Sequence, residues 1–135
     1  MRTRNYKLKA FSLTELLVVL VIIGILVLLA LPVLMPVISK AKATEAQLQL
    51  GHLHQMEKSY FYLHSKYSTE FEEIGFEHAK LVSQGGSANY TIEIIEASHN
   101  TFKATATSIT DFDGDGIFDT WEVDHEKNIK QIIKD

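Results

Sequence analysis

The strongest pattern in the sequence is a long block of apolar residues near the N-terminus. The apolar stretch begins at Phe11, and residues 16–38 form a run of 23 positions without a charged side chain. At about 1.5 Å per helical residue such a run spans roughly 35 Å, which exceeds the hydrocarbon thickness of about 30 Å in a bilayer. The apolar core of a cleavable secretory signal is shorter, about 7–15 residues. The pattern therefore predicts a membrane-spanning helix over residues 11–38.

Beyond this block the helical periodicity continues, but apolar residues occupy only one side. They recur at spacings of three and four residues, as Ala46, Leu50, Leu53, Met56 or Glu57, Tyr60 and Leu63. Charged and amide side chains fill the positions between them. The pattern predicts one continuous helix from about residue 11 to about residue 65, whose second half lays an apolar stripe on a polar domain.

The rest of the chain has the alternation of β-strands. Residues 66–87 have the composition of a connecting loop, and residues 89–97 and 101–110 alternate apolar and polar side chains on either side of a turn at 98–100. Shorter strand-like runs cover residues 120–123 and 129–133. The predicted class is α+β, with a long N-terminal helix packed on a small antiparallel sheet and a globular head over residues 39–135.

Charge and composition narrow the functional classes. The first ten residues contain four basic and no acidic residues, which favours a cytoplasmic N-terminus for the predicted span. Without those four, 9 of the 13 basic residues face 17 acidic ones, so the remaining chain has a net charge near −8. An acidic chain with no basic stripe argues against nucleic acid as a direct partner. The sequence contains no cysteine, and no grouping of side chains has a spacing that suggests catalysis, so we expect no enzyme.

Glu15 stands out because a carboxylate near the end of a membrane helix is costly and usually marks a function. It lies in the segment Lys9-Ala10-Phe11-Ser12-Leu13-Thr14-Glu15. This segment resembles the prepilin motif of type IV pilins and type II secretion pseudopilins: a short basic leader, a small residue, Phe, three residues and Glu inside an apolar run. The resemblance implies that a membrane peptidase removes residues 1–10 by cutting between Ala10 and Phe11 and then methylates Phe11. Ala10 stands where glycine is more usual.

The same resemblance implies polymerisation through the N-terminal helix. A cut after Ala10 creates an α-amino group on Phe11 that is largely cationic at neutral pH. In a filament core of low dielectric constant, this cation and the Glu15 carboxylate of a neighbouring copy attract and offset each other's burial. The implied partners are further copies in a helical filament, the prepilin peptidase and an inner-membrane assembly platform. The precursor is expected in the bacterial inner membrane, and the filament at the cell surface or across the periplasm.

Three functions stay open at this point. The chain could be a structural subunit of a type IV pilus, or the major pseudopilin of a type II secretion system. The third possibility is a calcium-binding module that is anchored in the membrane and never polymerises. Uncleaved protein in cells would favour this third function.

An acidic segment near the C-terminus carries the sharpest chemical signal. Residues 111–122 match the calcium-loop template D-x-[DN]-x-[DN]-G-x5-E at each specified position. Calcium prefers six to eight oxygen ligands, and a tightly curved loop can direct alternate carboxylates at one ion. The ligands predicted from this template are Asp111, Asp113, Asp115, the Ile117 carbonyl, Asp119 and Glu122.

The sequence context of this loop differs from a helix-loop-helix calcium site. The segment before it has the pattern of a strand, so we expect the loop to join two strands, and Glu122 need not sit where that motif has it. Some pilins and major pseudopilins carry a calcium-binding loop near the C-terminus, and the resemblance implies such a loop here. The alternative is a solvated acidic turn without an ion.

Overall fold

The computed structural model describes residues 10–135. The predicted leader lies outside the described residues, apart from Ala10. The chain divides into two compact units, one ending at Val37 and one covering Ile38–Asp135. Helix α1 covers Leu13–His64 and contributes to both units, which confirms the single long helix that the periodicity predicts.

In the first unit, α1 exposes large apolar side chains on all sides. Leu13 is 84% exposed, and Val18, the least exposed of them, is still 49% exposed. The most apolar part of the helix contains no buried residue. Pro32 and Pro36 lie inside the helix without ending it. By length and composition α1 can therefore cross a membrane.

In the second unit, α1 buries one side only. Its buried residues are Ala43, Ala46, Leu50, Leu53, His54 and Glu57. Tyr60 packs on the edge of the core as predicted, and of the alternatives Met56 and Glu57 it is Glu57 that is fully buried, while Met56 packs at the edge. Leu63 is 81% exposed, so its predicted place on the buried stripe is wrong.

The physical reason for the exposure of Leu63 lies in how the chain leaves the helix. After His64, Ser65 takes a left-handed conformation with φ 55° and the chain turns back. This turn brings Tyr67 onto the core, where it stacks on Phe61 with ring centroids 4.8 Å apart. Tyr67 thus fills the space at the end of the core, and it is only 5% exposed.

Four strands form one sheet. Their bounds are β1 Tyr90–Ala97, β2 Phe102–Ser108, β3 Thr120–Asp124 and β4 Ile129–Ile133. The order is β1-β2-β3-β4, and each strand is antiparallel to the next. All four predicted strands are present with ends within two residues of the prediction. The α+β class with a long helix on an antiparallel sheet is therefore confirmed.

The core of the head lies between α1 and one face of this sheet. Phe102, Ala104 and Ala106 alternate along β2 and are fully buried, as the sequence alternation predicts. They form one cluster with Leu50 and Leu53 of the helix. Burial of this apolar surface is the main force that holds helix and sheet together.

The predicted connecting loop contains short helical turns, and contacts of Asn89 position the acidic segment. The predicted loop over residues 66–87 contains a short helix, α2 (Phe71–Ile74), and a 3₁₀ turn at Val82–Gln84. At the start of β1, the backbone amide and the side-chain amide of Asn89 donate to the two carboxylate oxygens of Glu45, each at 2.7 Å. The Asn89 carbonyl accepts from the amide of Ile109, where the acidic segment begins. Helix, first strand and acidic segment are therefore joined at one end of the sheet.

Candidate functional site

The segment at the predicted cut is exposed and lies outside regular structure. Ala10 and Phe11 precede α1, and the Phe11 side chain is 80% exposed. A bond in such a segment is open to a processing enzyme. Ser12, one residue before the helix begins, marks the boundary between this segment and α1.

Ser12 and Glu15 cap the helix reciprocally. The Ser12 amide donates to Glu15 Oε2 at 2.7 Å, and the Glu15 amide donates to Ser12 Oγ at 3.2 Å. This is the capping-box arrangement, in which two of the unpaired amides at a helix start are satisfied. The sequence analysis missed Ser12, although the spacing S-x-x-E before an apolar run is the signal that finds it. Glu15 therefore has a hydrogen-bond donor within its own chain.

The acidic loop occupies residues 109–119 between β2 and β3, so the prediction that it joins two strands is confirmed. Both oxygens of Asp111 accept backbone amides, from Gly114 at 2.6 Å and from Gly116 at 2.7 Å. Asp113 Oδ1 accepts the Asp115 amide at 3.1 Å. The two glycines have φ of 83° and 86°, a left-handed conformation that glycine adopts without steric cost.

Asp115 and Ile117 continue this pattern along the loop. Asp115 Oδ1 accepts the amide of Ile117 at 2.7 Å, so the predicted ligand segment curves back on itself from Asp111 to Ile117. Three of the predicted carboxylates are thus brought together by the loop's own backbone. Their surroundings are largely polar and exposed.

A fourth carboxylate joins them from the end of β4. One ligand atom from each of Asp111, Asp113, Asp115 and Asp135 lies within 4.8 Å of the others. Asp135 Oδ2 accepts the Phe112 amide at 2.7 Å, while its Oδ1 is buried and has no hydrogen-bond partner among the described residues. The sequence analysis missed Asp135 because it is far from the loop in sequence. The pairing of β4 with β3, in which Ile133 lies opposite Thr120, brings it back.

The electrostatics of the cluster differ from residue to residue. The Gly116 amide, helped by other loop amides, holds the pKa of Asp111 below its usual value despite partial desolvation. At Asp113 the Asp115 amide lowers the pKa, but desolvation and the charges of Asp115, Asp135 and Asp111 together outweigh it and raise the pKa. The four carboxylates therefore repel one another at Asp113, and a cation placed among them would relieve that repulsion.

Two predicted ligands lie outside this cluster. Asp119 is 1% exposed, and its Oδ2 accepts the Tyr90 hydroxyl at 2.6 Å and the Trp121 Nε1–H at 2.9 Å, while its Oδ1 accepts from Gln131 at 2.5 Å. These three donors come from β1, β3 and β4. Burial and the hydrogen bond to Asp119 raise the pKa of Tyr90. Asp119 thus closes the loop onto the sheet and is not grouped with the other acids.

Glu122 also has another role in the structure. It lies within β3, opposite Thr105 of β2, and its carboxylate is 3.4 Å from Lys130 Nζ of β4. Because β3 begins at Thr120, Glu122 extends along the sheet instead of turning back to the loop. The structure brings together Asp111, Asp113 and Asp115 of the predicted set, adds Asp135, and engages Asp119 and Glu122 elsewhere.

Comparisons with known proteins give two findings. The family model described as the prokaryotic N-terminal methylation motif matches residues 7–31. The chain is similar to the "Type IV major pilin protein PilA" of Myxococcus xanthus (strain DK1622), with 38% identity over 72 residues, which is 53% of this chain and 33% of that protein. The chain thus spans about one third of the length of the curated relative it matches.

Proposed function

Since the methylation motif and the similarity to a major pilin support membership of the type IV pilin and pseudopilin family, we propose that this chain is a structural subunit of a type IV pilus-like filament. In this proposal the prepilin peptidase cuts between Ala10 and Phe11 and methylates Phe11. The precursor is anchored in the bacterial inner membrane, and an assembly platform incorporates it into a filament of further copies. That filament emerges at the cell surface or spans the periplasm.

The observation that carries the proposal is the methylation motif at the start of a helix whose apolar surface is exposed. Each large apolar side chain in residues 13–37 is at least 49% exposed within its own chain. Such a surface is stable only when covered by lipid or by other apolar helices. Lipid covers it in the precursor, and the corresponding helices of neighbouring subunits cover it in the filament.

Phe11 and Glu15 supply the polar contact of this helical core. The cut gives Phe11 a cationic α-amino group, and Glu15 offers a carboxylate one helical turn away. The capping box with Ser12 holds that carboxylate at the start of the helix. A neighbouring α-amino group that approaches it forms an ion pair in a medium of low dielectric constant, which fixes the axial register of the two copies.

Intact-mass measurement of the chain from membrane and filament fractions tests the processing step. We expect a chain that starts at Phe11 and carries one methyl group.

Glu15→Ala should insert and be cut normally but should lower filament yield by about tenfold or more, because breaking an ion pair buried at low dielectric constant costs several kcal/mol. Thr14→Ala, its neighbour in the helix, is the matched control and should assemble normally. A mature chain that begins at Met1, or normal filament yield from Glu15→Ala, would contradict the proposal.

The major pseudopilin of a type II secretion system is the second candidate. The acidic loop is compatible with this candidate, because a calcium-binding loop near the C-terminus is a trait of major pseudopilins as well as of some pilins. Deletion of the chain in its own cell separates the two functions. A pilus subunit gives loss of surface filaments with normal export of folded proteins, and a pseudopilin gives the reverse.

We further propose that the acidic loop binds calcium through Asp111, Asp113, Asp115 and Asp135. The donor set fits a hard cation, because four carboxylates meet within 4.8 Å and one buried oxygen of Asp135 has no partner among the described residues. The ion would neutralise the repulsion among these acids and join the loop to the end of β4. A bound ion would thereby cross-link the loop and the end of β4, in a head that has no disulfide because the sequence has no cysteine.

Thermal unfolding of the full chain in detergent, in EGTA and in millimolar calcium, tests this site. A ligand that binds only the folded state at a hundredfold excess over its Kd stabilises by about 2.7 kcal/mol, so calcium should raise the Tm by several degrees. Asp135→Asn and the double variant Asp113→Ala, Asp115→Ala should lose the increase, and Glu122→Gln should keep it. An increase lost in Glu122→Gln but kept in Asp135→Asn would favour the ligand set of the sequence template. Equal melting of the parent in both buffers would leave an acidic turn.

A further inference from the structure

Glu57 is a fully buried ionisable side chain of α1. It lies on the buried side of α1 and is 0% exposed. Its Oε2 accepts the amide of Ser68 at 3.2 Å, and its Oε1 is buried without a hydrogen-bond partner among the described residues. An ionised carboxylate can accept about four hydrogen bonds. One amide therefore leaves the charged form of Glu57 poorly solvated.

The groups around Glu57 do not compensate a negative charge. On its own helix, Tyr60 lies one turn ahead and donates its hydroxyl to Glu73 of α2 at 3.1 Å. The ammonium of Lys58 donates to the hydroxyl of Tyr67 at 3.0 Å. Lys58 is thus engaged with Tyr67, and Glu57 forms no ion pair among the described residues.

The remaining titratable neighbours lead to the same conclusion. Glu73 is itself a carboxylate, and it also accepts the hydroxyl of Ser68 at 2.5 Å. His54, one turn earlier on α1, has its Nε2 3.2 Å from the carbonyl of His125, and burial lowers its pKa, which favours the neutral ring. Apart from the Lys58 ammonium, which is bound to Tyr67, these neighbours of Glu57 are neutral or negative.

We propose that Glu57 is a pH-responsive clasp between α1 and the turn at Ser68: neutral Glu57 keeps the turn closed on the helix, and ionised Glu57 loosens it. Desolvation, only partly opposed by the Ser68 amide, raises the pKa of Glu57 from 4.5 to about 7. In the unfolded chain the carboxyl has the ordinary value. Between these two values the folded head binds more protons than the unfolded chain, so its stability falls as the pH rises through this window. Acidification from pH 8 to pH 5 should therefore tighten this part of the head.

Hydrogen exchange of the Ser68 amide tests the clasp directly, because that amide donates to Glu57. The experiment uses the full chain in detergent micelles, with the parent, Glu57→Gln and the exposed control Glu72→Gln. From pH 5 to pH 8 the protection factor of Ser68 should fall about tenfold or more in the parent and in the control, since one pKa unit is a tenfold effect. In Glu57→Gln the protection factor should not fall over this range. His54 acts in the opposite direction as the pH falls below 6.5, but it is common to all three chains and cancels in the comparison.

A second measurement covers a Glu57→Gln chain that fails to fold. Carbon-13 NMR of the Glu57 carboxyl in the parent should show a titration midpoint near 7. A midpoint near the ordinary 4.5, or identical pH profiles of Ser68 in the parent and in a folded Glu57→Gln chain, would overturn the proposal.

Discussion

Both parts of α1 are α-helical, but the first exposes its apolar side chains and the second buries some of them in the head. In residues 13–37 each large apolar side chain is at least 49% exposed, whereas from residue 38 onward Ala43, Ala46, Leu50 and Leu53 are at most 8% exposed. The first part is apolar on all sides, and the second buries residues on one side only. One helix thus contains two kinds of hydrophobic surface. One is buried by folding, and the other stays exposed within its own chain.

A matched pair of leucines should give the largest effect of this contrast. Leu50 is 0% exposed and Leu28 is 72% exposed. Leu50→Ala should destabilise the head by about 2–5 kcal/mol, because it removes buried surface and leaves a cavity. Leu28→Ala should change head stability by less than about 0.5 kcal/mol. The fluorescence of Trp121, the one tryptophan of the sequence, reports unfolding of the head in detergent. Equal losses from both substitutions would break the distinction between the two parts of the helix.

A buried and an exposed carboxylate extend the contrast to polar groups, with a somewhat smaller effect. Asp119 accepts three side-chain hydrogen bonds within the head, whereas Glu15 accepts the Ser12 amide alone among the described residues. Asp119→Ala leaves buried donors unpaired and should cost about 1–3 kcal/mol of head stability. The loss should be the same in EGTA and in calcium. A loss that appears only in calcium would show that Asp119 is a metal ligand after all.

We expect the smallest effect at Lys42, near the beginning of the second part of the helix, because its contact with the acidic loop is a weak cation–π contact. Its ammonium is 5.0 Å from the centre of the Phe112 ring in the acidic loop. A cation–π contact at a surface is worth about 0.5–1 kcal/mol, so Lys42→Gln should lower the Tm of the head by a few degrees at most. Lys40→Gln, two residues earlier, is the matched control and should leave the Tm unchanged. A larger shift from Lys40→Gln would show that the general charge of this region, and not the ring contact, is what matters.

Much of this fold could be predicted because its signals are local. The apolar block and the periodicity after it define α1, and the alternation in residues 89–97 and 101–110 defines β1 and β2. The exposure of Leu63 was not predictable in the same way, since periodicity alone does not show that Tyr67 turns back onto the end of the core. The end of a helix depends on what the next segment can bury.

The candidate metal cluster was predictable only in part, for a similar reason. Asp111, Asp113 and Asp115 are placed together by their own loop, so their spacing in sequence is sufficient. Asp135 is brought to the cluster by the pairing of β4 with β3. Asp119 lies outside the cluster because it accepts hydrogen bonds from side chains on three different strands. A linear template contains no information about either kind of contact.

The sequential order of the sheet has a consequence for how fast the head can fold. Each strand pairs with the strand that precedes or follows it in the chain, so every pairing closes a short loop, and the longest of the three is the acidic segment. Short loops cost little entropy to close, and proteins dominated by local contacts cross their folding barrier quickly. The distant contact is the one between α1 and the sheet, for example Glu45 with Asn89. We therefore expect the four strands to pair first and the packing of the helix on the sheet to set the folding rate.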